Sequence, residues 1–358
     1  MPGVIVPRKG RGASSNASGR FEAEQRVTFD DGWGSADAEP TPLNTTLSID
    51  TTRTIIARND SPDIGFDRSI NPYRGCEHGC IYCYARPSHA YLGLSPGLDF
   101  ESRIFYKPEA ATLLAAELRK KGYLCRPIAL GSNTDPYQPV ERRLGITRSI
   151  LEVLRDFRHP VTIVSKSALI RRDIDILAEM AKEKLAIVTI SVTTLDRSLA
   201  RVMEPRAAAP ERRLDTIAAL ADAGIPTGVL SAPMIPALND SELEAILERA
   251  RNAGATAAGY TMLRLPLELK ALFREWLETH FPDKAAHVLS LVAQAHGGRL
   301  YDSAWSKRMT GAGPYADMIR LRFDRARRKL GFNQRTTDPL NTTRFRPPPQ
   351  SGDQLNLF

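Results

Sequence analysis

The sequence predicts an α/β fold: a partial (β/α)6 barrel of the TIM type with parallel strands, followed by a helical C-terminal extension and flanked by disordered termini. Three observations predict it. Short runs rich in β-branched and apolar residues alternate with longer helical periods from about residue 107 to residue 263, and that alternation makes βα units and a parallel sheet. Closing about six such units gives an incomplete barrel. Both ends of the chain lose apolar periodicity, with Gly, Ser, Pro, Asp and Glu dominating residues 1–44, a composition that does not pay for ordering. A doubly wound open sheet is the alternative, because periodicity does not separate the two.

Each element has its own signal. Lys107 to Lys121 reads as a helix, with Leu114 and Leu118 one turn apart and Gly122 past its end. Ile128 to Leu130 is a short strand entering Gly131-Ser132-Asn133-Thr134-Asp135-Pro136. One helix follows, with Leu144, Ile150, Leu151, Leu154 and Phe157 on its buried side. Val161 to Val164 is a strand, and Ile174, Leu177 and Met180 mark a helix. Leu185 to Val192 carries the strongest strand signal. Pro210 opens a helix that runs through Leu214, Ile217 and Leu220 to Gly224. Thr227 to Leu230 is a strand, Leu243, Ile246 and Leu247 line a helix, and Tyr260 to Leu263 is the last strand. The domains expected are a disordered arm over 1–44, a barrel core over 45–265, a basic helical extension over 266–334 and a flexible tail over 335–358.

Composition narrows the class. A hydrophobic share of 42% and a charged share of 25% fit a soluble globular protein. No apolar stretch approaches the roughly 20 residues that span a bilayer, and the first residues lack the apolar core of a secretory signal. Four cysteines among 358 residues are too few for a disulfide scaffold, which points to a reduced, cytoplasmic setting. The formal charge is +8, and between Arg320 and Arg346 nine basic residues face only Asp324 and Asp338. Such a segment attracts nucleic acid through phosphate contacts; the other reading is a solvated helix face.

Cys76, Cys80 and Cys83 stand in Arg74-Gly75-Cys76-Glu77-His78-Gly79-Cys80-Ile81-Tyr82-Cys83-Tyr84. Three thiolates in one short loop can hold three irons of a [4Fe–4S] cluster, leaving the fourth iron open, whereas a fourth cysteine closes an electron-transfer cluster. A structural zinc site with His78 or His89 as fourth ligand is the alternative, although zinc cysteines usually come as two spaced pairs. The C-x3-C-x2-C spacing resembles that of the radical S-adenosylmethionine superfamily. The resemblance implies that the open iron binds the amine and carboxylate of S-adenosylmethionine, which an electron then cleaves to methionine and a 5′-deoxyadenosyl radical. It also implies a reducing partner such as flavodoxin or ferredoxin.

Within the superfamily, Asn71 to Cys76, Gly131 to Pro136, Ser165-Lys166-Ser167 and Ser191 resemble the subgroup around spore photoproduct lyase. By position, that resemblance makes Thr134, Asp135, Lys166 and Ser191 contacts of S-adenosylmethionine. Strand C-terminal ends are where barrels place their chemistry. Arg206, in Met203-Glu204-Pro205-Arg206, offers a fork suited to a carboxylate or else a helix-start salt bridge. Tyr82 lies between two of the cysteines and is a further cofactor contact or hydrogen-atom relay, as Tyr84 and Tyr137 are candidate relays. Pro233 to Pro236, with Asn239 and Asp240, either lines adenine or shapes its loop. One departure matters. The lyase has a hydrogen-donating cysteine where this chain has Gly131-Ser132-Asn133, and Cys125 reads as a small buried core residue, so lesion repair by that route does not follow.

The chain ends in Gln354-Leu355-Asn356-Leu357-Phe358, which resembles the short peptides that bind the bacterial β sliding clamp. Leu355, Leu357 and Phe358 would fill apolar pockets while Gln354 fixes the polar edge. The expectation is therefore a radical S-adenosylmethionine enzyme recruited by the clamp to act on DNA or another nucleic acid. A modifier of protein or RNA, and a clamp-bound Fe–S redox sensor without catalysis, are the alternatives.

Overall fold

Val161-Thr162-Ile163-Val164-Ser165 and Ala186 to Ser191 become strands because β-branched side chains fit a pleated surface covered on both faces. In the computed structural model, which describes residues 8–24, 43–332 and 340–349, they are the centre of a parallel sheet. Its strands are β1 (Arg68–Ile70), β2 (Ile128–Leu130), β3 (Val161–Ser165), β4 (Ala186–Ser191), β5 (Thr227–Met234) and β6 (Ala257–Met262). They pair strictly in chain order, with Val161 beside both Ile128 and Ala186. Ile56–Arg58 adds antiparallel to the outer side of β1. A doubly wound sheet reverses its strand order partway. This one does not, and among the described residues its two outer strands are not paired with each other, so the partial barrel is the architecture.

Helices α1 (Ala110–Leu118), α2 (Ile146–Asp156), α3 (Ile174–Lys182), α4 (Pro210–Asp222) and α5 (Leu243–Asn252) return the chain between strands. Their apolar stripes cover the sheet. Leu114, Ile150, Leu154, Leu177, Ile217 and Ile246 are buried against Leu130, Ile163, Val188, Ile190 and Val229 in one continuous core. Three more helices extend the chain: α6 (Leu269–His280), α7 (Pro282–Gln294) and α8 (Pro314–Lys329). They divide between two jobs. Helices α6 and α7 share a second core with the cysteine loop, in which Ile81, Tyr82 and Met203 meet Phe273, Trp276 and Val288. The Trp276 indole N–H donates to the Val202 carbonyl at 3.0 Å. Helix α8 lies on α5 and β6, where Phe323 packs on Tyr260.

Several expectations need correction. The helix expected from Leu144 to Phe157 is broken at Gly145, which at φ +66° separates a single turn (Glu141–Leu144) from α2. Residues 8–24, expected to belong to a disordered arm, are packed, with Arg11, Gly12 and Ala13 buried. Within the tail, residues 340–349 lie beneath the barrel: the Asn341 N–H donates to the Lys184 carbonyl, the Arg346 N–H to that of Phe157, and Phe345 packs on Tyr123 and His159. Cys125 is half-buried ahead of β2 rather than in the core. The basic segment is partly neutralised, since Arg322 pairs with Glu244 and Arg320 with Asp317. Gln354, Leu355, Leu357 and Phe358 lie outside the described residues.

Candidate cofactor site at the cysteine loop

The loop leaves a two-residue strand (Tyr73–Arg74) and turns at Gly75, whose φ of +81° and close approach to the Phe100 carbonyl oxygen suit glycine alone. Its backbone is gripped from the end of β2. The Thr134 hydroxyl donates to the Gly75 carbonyl at 2.7 Å. Gln138 accepts from the Glu77 N–H at 2.8 Å and donates to Thr134 and Gly75. Asp135 collects four donors: the Tyr137 N–H at 2.9 Å, the Ser165 hydroxyl at 2.8 Å, the Lys166 N–H at 2.8 Å and His78, whose Nδ1 is 3.3 Å away. Burial alone would raise this carboxyl, but His78 and the N–H donors outweigh it and hold it at about 2.

Charged side chains buried beneath the loop fix its other half. Arg86 donates from Nε to the Cys80 carbonyl at 2.8 Å and from Nη2 to that of Gly79 at 3.2 Å, and forms an ion pair with Glu101 in which both side chains are fully buried. Glu204 pairs with Arg213, also fully buried, and accepts from the Tyr82 hydroxyl and, at 3.2 Å, from Thr193. Arg213 donates in addition to the carbonyls of Ala208 at 2.7 Å and Ser191 at 3.2 Å. Arg206 stands 3.0 Å from Glu77, and its N–H donates to the His78 carbonyl. Buried pairs of this kind stabilise little on balance, because desolvation offsets attraction, but removing one partner is costly.

The candidate residues therefore divide by what their polar atoms do. Thr134, Asp135 and Arg206 are engaged with the cysteine loop itself. Ser191 is buried at the end of β4 and donates to the Ala232 carbonyl at 3.3 Å. The Lys166 ammonium faces the Tyr82 ring at 5.7 Å, directly over the loop. Tyr137 is fully buried in the main core, away from the loop. Glu101, Arg86, Gln138 and Arg213 were missed in the sequence. Glu and Arg scattered over more than 100 residues give no local signal that they meet.

The donor set fits an iron–sulfur cluster better than zinc. His78 is committed to Asp135, and His89 places Nε2 3.0 Å from the Arg103 carbonyl oxygen with its ring against Phe100. Burial pushes the Cys76 thiol well up and that of Cys80 to about 12, so a bound cation would have to displace their protons. When bound, the cluster and S-adenosylmethionine would supply the one-electron chemistry; the chain's own residues shape and shield the loop.

The fold and the loop define a class, a partial barrel with a three-cysteine loop at one end, and sequence comparison gives it a family. The profile of the radical SAM superfamily matches residues 70–250, half of the chain. The chain belongs to this superfamily, whose members use a [4Fe–4S] cluster and S-adenosylmethionine. An uncharacterized protein of Mycobacterium tuberculosis is 37% identical over 228 residues, which span 63% of this chain and 67% of that protein. One from Methanocaldococcus jannaschii is 27% identical over 214 residues, 60% of this chain and 76% of its own. Among solved structures, spore photoproduct lyase complexed with dinucleoside spore photoproduct shares the fold at a TM-score of 0.57, covering 79% of this chain and 78% of that one at 13% identity.

Proposed function

We propose that this radical SAM protein is an enzyme whose cluster is held by Cys76, Cys80 and Cys83 and whose substrate is a nucleic acid entering at the loop end of the barrel. The observation that carries the substrate class is the rim around that end. Tyr84, next to Cys83 and 47% exposed, lies under the Arg264 guanidinium at 5.1 Å. Tyr91 is 71% exposed beside Phe21, and Arg20 stands over both rings. Exposed aromatics beside arginines make a stacking surface for unpaired nucleotides, with Arg264 as its phosphate-facing charge, since Arg20 is paired with Glu268 at 2.6 Å. Lys166 supports the S-adenosylmethionine carboxylate, with Thr134, Asp135, Ser191 and Arg206 shaping the wall around it.

Recruitment through Gln354, Leu355, Leu357 and Phe358 belongs to the same reading. Residues 340–349 pack against the segments that precede β2, β3 and β4.

The test is anaerobic reconstitution, reduction and incubation with S-adenosylmethionine carrying deuterium on the 5′ carbon, in the presence of single-stranded DNA, RNA or protein. The reading expects 5′-deoxyadenosine, with hydrogen exchanged between its 5′ carbon and the nucleic acid fractions. Label exchanged only with protein would refute the substrate class, and a loaded cluster that yields no 5′-deoxyadenosine would refute the enzyme.

A further inference from the structure

The segment from Arg11 to Asn16 runs across the underside of the cysteine loop and makes contacts too close for a passing chain. A Cβ placed on Gly12 would stand 1.8 Å from the Gly79 carbonyl oxygen, so only glycine fits this crossing. The N–H groups of Gly12 and Ala13 donate to the two Glu101 carboxylate oxygens at 2.9 and 2.8 Å. That carboxylate pairs with Arg86, which holds the carbonyls of Gly79 and Cys80. Arg11 reaches the Glu101 carbonyl at 2.6 Å and ties it to the Leu43 carbonyl and the Thr45 hydroxyl. Asn16 exchanges two hydrogen bonds with Asp99, at 3.0 Å to its carboxylate and 2.9 Å from its N–H. The Leu98 N–H donates to the Ser15 carbonyl.

We infer that residues 11–16 are a clasp that fixes the Cys80 half of the loop, with Gly12 and Ala13 as positioning residues acting through Glu101 and Arg86. Without them Glu101 keeps Arg86 but loses two of its donors, and Arg86, which also donates to the Pro96 and Gly97 carbonyls, holds the Gly79 and Cys80 carbonyls beside a loosened carboxylate. A buried pair is worth having only while its remaining lone pairs are satisfied. The clasp is thus a precondition for a loop that meets a cluster in one geometry. Its link to the cluster rests on the assignment of Cys80 as a ligand; the clasping of the loop does not.

The test uses the full chain with Gly12→Val, and with Asn16→Ala as a milder change that removes the two hydrogen bonds to Asp99. Hydrogen exchange of metal-free protein, followed by mass spectrometry, reads the loop directly, and iron content after anaerobic reconstitution reads the cluster. Gly12→Val should speed exchange across residues 76–86 by about tenfold or more, as expected for local opening, while β3 and β4 remain protected; its iron should fall well below the roughly four atoms per chain of a full cluster. Asn16→Ala should shift both readouts in the same direction by less. If Gly12→Val also loses protection in β3 and β4, Asn16→Ala decides. Unchanged exchange over 76–86 in Asn16→Ala would then overturn the clasp, as would unchanged exchange in Gly12→Val. A Cys80→Ala chain separates the two premises: full iron loading in it refutes the ligand assignment, while the exchange result still judges the clasp.

Discussion

Removing Glu204 tests the buried charges under the loop most sharply. Glu204→Ala leaves the Arg213 guanidinium fully buried, with its bonds to Ala208 and Ser191 but no counter-charge, and takes the acceptor from Tyr82. Breaking one side of a buried pair costs about 3–5 kcal/mol. The two surviving carbonyl contacts solvate part of the charge and favour the lower end. With an unfolding entropy of about 2.1 cal/mol/K per residue over roughly 300 residues, that loss lowers the midpoint by about 5–8 °C. The assay is thermal unfolding of metal-free protein by circular dichroism, so that no cofactor contributes. Adding Arg213→Met to Glu204→Ala should recover at least half of the shift, because the orphaned charge goes with it. A shift below about 2 °C for the single variant, or a double variant no more stable than the single, refutes the claim that an uncompensated charge is the cause.

Other expectations follow from the same geometry. Burial at the underside of the barrel holds His159 at about 4, against an ordinary value of 6.5. The unfolded imidazole takes up a proton below 6.5 and the folded one resists until about 4, so stability is complete above 6.5 and falls as pH drops through that window, by at most about 1.4 kcal/mol per pH unit. Buried His89, also held at about 4, adds in the same direction, so His159→Asn should reduce the slope of urea-unfolding free energy between pH 6.5 and 4 without abolishing it; an unchanged slope contradicts the assignment. Gly131→Ala places a Cβ 2.2 Å from the Val164 carbonyl oxygen at φ +93° and should destabilise by well over about 1 kcal/mol, whereas Gly145→Ala, with open space around it at φ +66°, should cost only about that much; equal urea midpoints for the two would disprove the close-contact argument. Tyr84→Ala should weaken single-stranded DNA binding by about 1–3 kcal/mol in a fluorescence titration, and Arg264→Ala should flatten its salt dependence.

Most of the barrel was legible because its signal is local. The strands at Val161 and Ala186 are rich in β-branched residues, and Pro160 marks the start of the first, so each is readable from its own few residues and the two pair side by side. The strand β1 was not legible. Arg68-Ser69-Ile70 has two polar residues of its three and is paired between β2 and Ile56–Arg58, so no apolar run or alternation announces it. The clasp at 11–16 failed for a different reason. Gly10-Arg11-Gly12-Ala13 has the composition of a solvated arm, and its order is conferred by Glu101, nearly 90 residues away.

The site shows the same division, and the division has a physical cause. Cysteine spacing is readable because three thiols on one loop must be close in sequence to be close in space. The residues at strand ends are readable by position only, and position does not say whether a hydroxyl faces a ligand or its own backbone. Thr134 and Asp135 illustrate this. Both sit where a cofactor contact was expected, yet their oxygens are filled by Gly75, His78, Lys166 and Tyr137. A carboxylate with four donors already in place has little capacity left for a fifth. Its value lies in holding the Cys76 half of the loop, as Glu101 holds the Cys80 half. Two carboxylates from opposite sides thus brace one short segment, and Lys166, whose ammonium faces the loop over the Tyr82 ring, is left as the strand-end residue best placed to meet an anionic ligand group.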